Sequence, residues 1–286
     1  MKKIAITSDS TLALSHEQAK ALGIYVLPLN VIIDNVEYHD GVDINLDTLN
    51  QIMRNSKSRI STSTPTPFEI ETFFDRVFAD GYDEVVHFTI SSKLSSMYDL
   101  FALTCREKYG DKVVVIDSRA VCTYMANNVA TAVELVKQGK TKEEIRDVCE
   151  ARRSDFHVFF IPESLTYLKN GGRISPAVAL IGNLIGMKPI LAFVDGEIQK
   201  SGTTRNLKMA IIDELKKFKA DRFNPKDYEI HVVSFDTEAK TLEIVKKELL
   251  ETLSAYNVKM SPLSINVAAH TGPGTVGVGI VRKINA

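Results

Sequence analysis

Apolar and polar positions follow two rhythms along this chain, and the rhythm changes about half-way. In the first half, short β-rich runs alternate with segments of helical period. Residues 3–7 read as a first strand, followed by the polar turn Ser8-Asp9-Ser10-Thr11. A helix begins near Ser15, where Gln18 completes a capping-box spacing and Gly23 supplies a stop. Residues 25–33 form a β-rich run that turns at Asp34-Asn35 into Val36-Glu37-Tyr38. Ile70, Phe73, Phe74, Val77 and Phe78 fall at i, i+3, i+4, i+7 and i+8, which predicts an amphipathic helix over 68–78. A strand over 84–90, a helix near 95–108 and a strand over 112–117 come next. Two helices follow, the second opening on the capping box of Thr141 and Glu144. This alternation predicts an α/β domain with a doubly wound parallel sheet.

The second half is patterned differently. A buried-type strand over 156–161 leads to a helix ending at Asn170-Gly171-Gly172. Runs over 189–194 and 197–203 flank Asp195-Gly196, a strong two-residue hairpin signal. Helices near 205–218 and 239–254 enclose a strand over 229–235, and late strands are predicted near 263–269 and 276–283. Hairpins mixed with helices imply an α+β domain with a mixed or antiparallel sheet. The expected division is 1–154 and 155–286, with a ligand between the two.

Composition narrows the function classes. Hydrophobic residues make up 44% of the 286 and charged residues 25%, the balance of a globular protein. With 35 basic and 36 acidic residues the net charge is −1, which gives nucleic acid no electrostatic footing. Cys105, Cys122 and Cys149 are widely spaced with no CxxC, against a zinc site or disulfide framework and in keeping with a reducing cytoplasm. No segment approaches the ~20 apolar residues that span a bilayer.

Two hydroxyl-rich segments carry the candidate chemistry. Ser61-Thr62-Ser63-Thr64-Pro65-Thr66-Pro67 and Ser91-Ser92-Lys93-Leu94-Ser95-Ser96 each precede a helical pattern. Hydroxyls both donate and accept hydrogen bonds, and helix N-termini favour an anion, so an acidic, oxygen-rich ligand fits. Ordinary helix capping is the plain alternative for either segment.

Familiar catalytic signatures fail. Gly272-Pro273-Gly274-Thr275-Val276-Gly277 matches GxGxxG, but only nine residues follow it and they read as a strand, not the helix a dinucleotide site needs. Walker A and the GxSxG elbow are absent. Asp9 follows a strand as a phosphoryl acceptor would, without an accompanying acidic cluster. His270 ends the apolar strand-like run 265–269 and enters a Gly/Pro turn, so it is either a functional or a structural histidine. His87, inside an apolar strand, reads as a packing residue. Ser95 with His270 would permit nucleophilic catalysis if a carboxylate oriented the imidazole, and the same pair could simply hold a carboxyl group. Arg173, after a helix C-cap, and Arg205, near a helix start, suit either phosphate or protein docking, against a default of solvated surface arginine. Residues 178–187 are apolar and glycine-spaced, as in a buried helix or the wall of an apolar channel.

In this order, Ile6-Thr7-Ser8-Asp9-Ser10-Thr11, Tyr38-His39-Asp40-Gly41-Val42-Asp43-Ile44, Thr62-Ser63-Thr64-Pro65-Thr66, Ser91-Ser92-Lys93-Leu94-Ser95, Val115-Ile116-Asp117-Ser118, the 167–175 segment and His270-Thr271-Gly272-Pro273-Gly274 form a specific set. Together they resemble the DegV family of bacterial fatty-acid-binding proteins over nearly the whole chain. The resemblance implies two α/β-type domains with a long-chain, palmitate-like fatty acid between them and no other cofactor or metal. It implies a chain that is not catalytic alone and brings the lipid to a separate ATP-dependent fatty acid kinase, which makes acyl phosphate for phospholipid synthesis. Thr62, Ser95 and His270 correspond to the family's carboxyl-holding positions. Ser63, Ser92 and Ser96 are further hydroxyl candidates, and Arg173 and Arg205 are candidates for docking the kinase. The family usually has glycine where this chain has Ser96, which raises the question of the loop's backbone. A serine hydrolase or esterase, and a lipid sensor without a kinase, are the alternatives, and transient membrane contact stays open.

Overall fold

In chain order the first half forms β1 (Ile4–Asp9), α1 (His16–Leu22), β2 (Tyr25–Leu27), β3 (Asn30–Ile33), β4 (Val36–His39), α2 (Leu46–Asn55), β5 (Ile60–Ser63), α3 (Pro67–Ala79), β6 (Glu84–Thr89), α4 (Met97–Tyr109), β7 (Val113–Asp117), α5 (Cys122–Lys137) and α6 (Lys142–Ala151). The computed structural model describes residues 2–55, 57–179, 186–218 and 223–284. Strands β2, β1, β6 and β7 lie in that order in one sheet, all parallel. One face carries Ala5, Val85 and Val113 against Ile70, Phe74 and Val77 of α3 and Met97, Phe101 and Cys105 of α4. Helix α5 packs against β1, and α6 against β6 and β7. The doubly wound parallel sheet read from the sequence is therefore present. All six residues of β6 are buried, as expected of a strand flanked in its sheet and covered on both faces.

Three local readings need correction. The run 25–33 is two strands in two sheets, because Pro28 has no N–H with which to continue one ladder. Strand β3 pairs antiparallel with β4 and with β5, forming a second, three-stranded sheet. The hydroxyl-rich segment 61–67 thus begins not as a loop but on an edge strand, Ile60–Ser63, with Thr62 opposite Val31. The amphipathic helix α2, which buries Leu49 and Met53, was not foreseen at all.

The second half forms β8 (Phe156–Ile161), α7 (Thr166–Asn170), α8 (Pro176–Ala179), β9 (Lys188–Val194), β10 (Glu197–Thr204), α9 (Leu207–Lys217), β11 (Tyr228–Phe235), α10 (Ala239–Thr252), β12 (Val258–Pro262), α11 (Ile265–Thr271) and β13 (Thr275–Arg282). Its six strands run in the order β10-β9-β8-β13-β11-β12, antiparallel except for the β11–β12 pair. This is the mixed sheet expected. The β9–β10 hairpin turns at Asp195 and Gly196, both at positive φ, as a tight two-residue turn requires. Phe159, Ile230, Val232, Val278 and Ile280 face a core completed by Ile211, Leu215, Val245 and Leu249 from α9 and α10. Residues 263–269, predicted as a strand, are instead mostly helix α11. Burial on nearly all sides removes the periodicity that separates the two forms, and two alanines favour the helix. The apolar stretch 178–187 falls largely on 180–185, outside the described residues.

The chain divides into two compact units. One comprises Met1–Asn45, Arg59–Ser154 and Ser264–Asn266, and the other Leu46–Ser58, Asp155–Leu263 and Val267–Ala286. In the second, Arg54 of α2 binds Glu163 at 3.2 Å and Asp236 at 2.5 Å.

His87 illustrates how the first unit's core handles polarity. Its ring stacks on Phe101 at 4.3 Å and 8°, and its Nδ1 lies 2.8 Å from Thr7 Oγ1. Among the described residues its Nε2 has no partner. Burial pushes the imidazole down from 6.5 to about 3, so the fold accepts only the neutral ring. The unfolded chain takes up a proton below 6.5 and the folded one does not. Stability should therefore fall as pH drops from about 6.5 towards 3, and His87→Phe should flatten that slope in urea unfolding followed across pH.

Candidate functional site

Ser92, Ser95 and Ser96 lie just beyond the end of parallel strand β6, the usual ligand-facing edge of an open α/β sheet. The chain leaves β6 at Ile90 and forms the loop Ser91–Ser96 before α4. Two buried carboxylates hold this loop. Asp9, at the end of β1, accepts from Ile90 N at 2.8 Å, from Thr11 N at 2.9 Å and from the Thr11 hydroxyl. Asp117, at the end of β7, accepts from Ser92 N at 3.0 Å and Ser92 Oγ at 2.6 Å, and from Arg119 N at 3.0 Å and Nε at 2.6 Å. Ser91 N donates to Ala120 O at 3.1 Å, and Ser91 O accepts from Leu94 N at 3.0 Å and Ser95 N at 3.2 Å.

Each serine of the loop therefore has its own role. Ser92's hydroxyl proton goes to Asp117, and Ser91 Oγ accepts from Lys93 N at 3.2 Å. Ser95 Oγ accepts a long bond of 3.4 Å from Met97 N, and among the described residues it donates to no protein group. Its proton is available to an incoming acceptor. Ser96 is exposed at φ −76°, an ordinary conformation for a side-chain-bearing residue. A serine where the family usually has glycine thus imposes no backbone strain here.

Thr62 and Ser63 reach the same unit from another sheet, on edge strand β5, and both are partly buried. The remainder of their hydroxyl-rich run is helix capping: Thr66 and Glu69 form a reciprocal box at the start of α3, with Thr66 N and Oγ1 donating to Glu69 Oε2. For that part of the run the plain reading was right.

His270 and Arg173 come together in the second unit. His270 lies in the last turn of α11 and not at a strand end. A Cβ on Gly171 would lie 2.2 Å from His270 Nδ1, so the imidazole sits flush against the Gly171 backbone. A Cβ on Gly272, at φ +79°, would lie 2.3 Å from the Tyr167 ring. Arg173 donates to Gly171 O. Burial, and then the nearby Arg173 cation, push His270 down from 6.5 to about 4, which leaves a neutral imidazole at neutral pH. Arg205 is exposed in the turn before α9, apart from this group. Sequence reasoning saw Gly171 as a helix stop and missed that only a glycine lets the histidine approach.

Asp9 is unsuited to accept a phosphoryl group, being wholly buried with both oxygens engaged. Among the described residues no group of three or more His, Cys, Asp or Glu could hold a metal ion, and no helix is long and apolar enough to cross a membrane. Cys105, Cys122 and Cys149 are buried free thiols.

The family model described as "Uncharacterised protein, DegV family" matches residues 3–283. The chain belongs to the DegV family. A DegV domain-containing protein of Staphylococcus aureus is 31% identical over 286 residues, covering 99% of this chain and 100% of its own. Among solved structures, a DegV family protein from Thermus thermophilus described for its fatty acid binding is 29% identical, with a TM-score of 0.87 over 98% of this chain and 99% of that one. A stearic acid-binding protein from Eubacterium ventriosum is 28% identical, with a TM-score of 0.85 over 100% and 99%. The DegV fold, one parallel and one mixed sheet, is thus the fold of this chain.

Asp9 gives the site a pH signature. Burial, opposed by the Thr11 and Ile90 bonds, raises its carboxyl from 3.8 to about 6. The folded chain keeps a proton that the unfolded chain releases, so this contribution to stability is full below about 4 and is lost as pH rises through 6. On the order of 3 kcal/mol is at stake. The stability lost between pH 4 and pH 7 should be smaller by about that amount in Asp9→Asn than in the unmodified protein, measured by urea unfolding.

Proposed function

We propose that this protein binds a long-chain fatty acid and presents its carboxyl group to a separate ATP-dependent kinase for acyl phosphate formation. The observation that carries the reading is the likeness, along nearly the full chain, to two fatty-acid-binding structures at 28–29% identity. Ser95 supports it, since its hydroxyl proton has no acceptor among the described residues and it lies in the loop where the family motif places the carboxyl. Thr62 and His270 are the other headgroup positions that the family resemblance implies. All three are uncharged at neutral pH.

The physics divides the labour. Burying a sixteen-carbon tail at ~0.8 kcal/mol per CH₂ contributes on the order of 12 kcal/mol gross. Each hydroxyl hydrogen bond adds only ~1 kcal/mol. The tail drives affinity, and the hydroxyls fix where the carboxyl points. The sequence contains no Walker loop to hold ATP, so the phosphoryl donor belongs to the partner, and the carboxylate is activated by position. The chain alone is then a lipid carrier and not an enzyme. The kinase docks through exposed Arg205, while Arg173 holds the Gly171 turn beside His270. The buried thiols accord with a cytoplasmic setting, with phospholipid synthesis as the destination of the product.

Lipid extraction of the purified protein followed by mass spectrometry should find long-chain fatty acid at about one per chain. Protein that is empty and ignores added fatty acid would defeat the reading. With a fatty acid kinase supplied, Thr62→Ala and Ser95→Ala should retain lipid yet lose at least about ten-fold in turnover. Unchanged kinase rates, or ester hydrolysis abolished by Ser95→Ala, would point elsewhere.

A further inference from the structure

Two segments singled out in the sequence, Thr7-Ser8-Asp9-Ser10-Thr11 and Val115-Ile116-Asp117-Ser118, supply no ligand donor in the reading above. Both end parallel strands, and both place a buried carboxylate against the loop that carries Ser95. We propose that Asp117 is a positioning residue for headgroup recognition: through Ser92 it fixes the loop so that the Ser95 hydroxyl is presented to a ligand carboxylate.

The path of hydrogen bonds is continuous. Asp117 is 4% exposed and takes four donors, two from Ser92 and two from Arg119. Arg119 adopts φ +50°, a left-handed conformation that costs a side-chain-bearing residue energy, and its Nε–Asp117 bond accompanies that turn. Arg153 Nε donates to Asp117 O at 2.7 Å, fixing the backbone of the anchor itself. On the far side of Ser92, the turn in which Ser91 O accepts from Leu94 N and Ser95 N sets where Ser95 stands relative to the anchored segment. Ser91 N is held in turn by Ala120 O, three residues beyond Asp117.

A buried carboxylate is a costly way to end a strand. Here it accepts from the backbone N–H groups of Ser92 and Arg119, which a short apolar turn would leave unpaired. What the carboxylate adds is rigidity at Ser92, two bonds at one residue, three positions before Ser95, whose hydroxyl donates to no protein group among the described residues. A hydroxyl discriminates a carboxylate from an uncharged headgroup only if it points at the right place, because a misdirected donor is satisfied by solvent instead. The effect expected of Asp117 is therefore on headgroup selectivity and not on affinity for the tail.

The inference rests on the carboxyl-binding reading, and the test separates the two. Stearic acid and stearyl alcohol compete against a fluorescent fatty acid for the full-length protein. The unmodified protein should prefer the acid, and Ser95→Ala should lose about ten-fold of that preference. Asp117→Ala should lose a similar factor while binding the alcohol as before, and Asp117→Ala with Ser95→Ala should lose little more than either alone. Ser92→Ala leaves the carboxylate and the Arg119 bonds in place, so it reports on the same path if Asp117→Ala does not fold; a loss of about three-fold is expected. Selectivity lost in Ser95→Ala but retained in Asp117→Ala and Ser92→Ala overturns the positioning role alone. So does an equal loss of acid and alcohol affinity in those two variants. If the unmodified protein shows no preference, or Ser95→Ala keeps it, the carboxyl-binding reading fails and the positioning role falls with it.

Discussion

Where a parallel strand ends, its ladder of hydrogen bonds stops but its backbone N–H groups remain, and burial makes each of them costly to leave unpaired. The first unit meets this constraint with side-chain carboxylates. Asp9 satisfies Ile90 N beyond β6 and Thr11 N beyond β1, and Asp117 satisfies Ser92 N and Arg119 N beyond β6 and β7. Each carboxylate thus stitches a strand end to its own following turn and to the neighbouring strand's loop. The shape of the Ser91–Ser96 loop follows from those stitches. The start of α4 and the placement of half-buried Ser95 follow from the loop.

The second unit solves a related problem by removing atoms. His270 can lie against the Gly171 backbone, and Tyr167 against Gly272, only because neither glycine has a Cβ. The price of that close approach is conformational freedom in the unfolded chain. Its return is an imidazole buried enough to stay neutral, with Arg173 close by to reinforce that state. Carboxylates that bind and glycines that yield are two routes to the same end, a side chain held in one orientation.

Much of this was legible in the sequence where a residue type has one structural meaning. The period of Ile70, Phe73, Phe74 and Val77 gave α3, Asp195-Gly196 gave the β9–β10 hairpin, and Thr141 with Glu144 gave the cap of α6. Periodicity failed where burial is all-round, as at 265–271, and where a strand is short, partly buried and rich in hydroxyls, as at 60–63. The hydroxyl loops were visible as a composition, but their internal division was not. Thr66 carries a local mark of its cap in Pro67 and in Glu69 at the capping-box spacing, whereas nothing local marks Thr62 as standing on a strand. The pairing of Ser92 with Asp117 spans 25 residues and depends on β6 and β7 being neighbours, so only the sheet order reveals it.

The charge balance at this loop bears on the chemistry proposed for it. Two buried aspartates beside a loop proposed to bind a carboxyl group would oppose an anion if their charges were left uncompensated. Asp117, however, is matched by Arg119 at 2.6 Å, and Asp9, though largely ionised at neutral pH with its carboxyl raised to about 6, directs its oxygens at Ile90 N, Thr11 N and the Thr11 hydroxyl. The donors proposed for the ligand, Ser95, Thr62 and the neutral His270, carry no net charge. An arginine fork would bind a carboxylate more strongly, at roughly twice the strength of a neutral bond. It would also draw electron density from the oxygen that, in the proposed reaction, attacks a phosphoryl group. Hydroxyls orient that oxygen at ~1 kcal/mol each and leave it nucleophilic. For a protein that, as proposed, hands its ligand to another enzyme's reaction, a rigidly placed weak donor serves better than a strong one, and the bonds of Asp117 to Ser92 are suited to maintaining one.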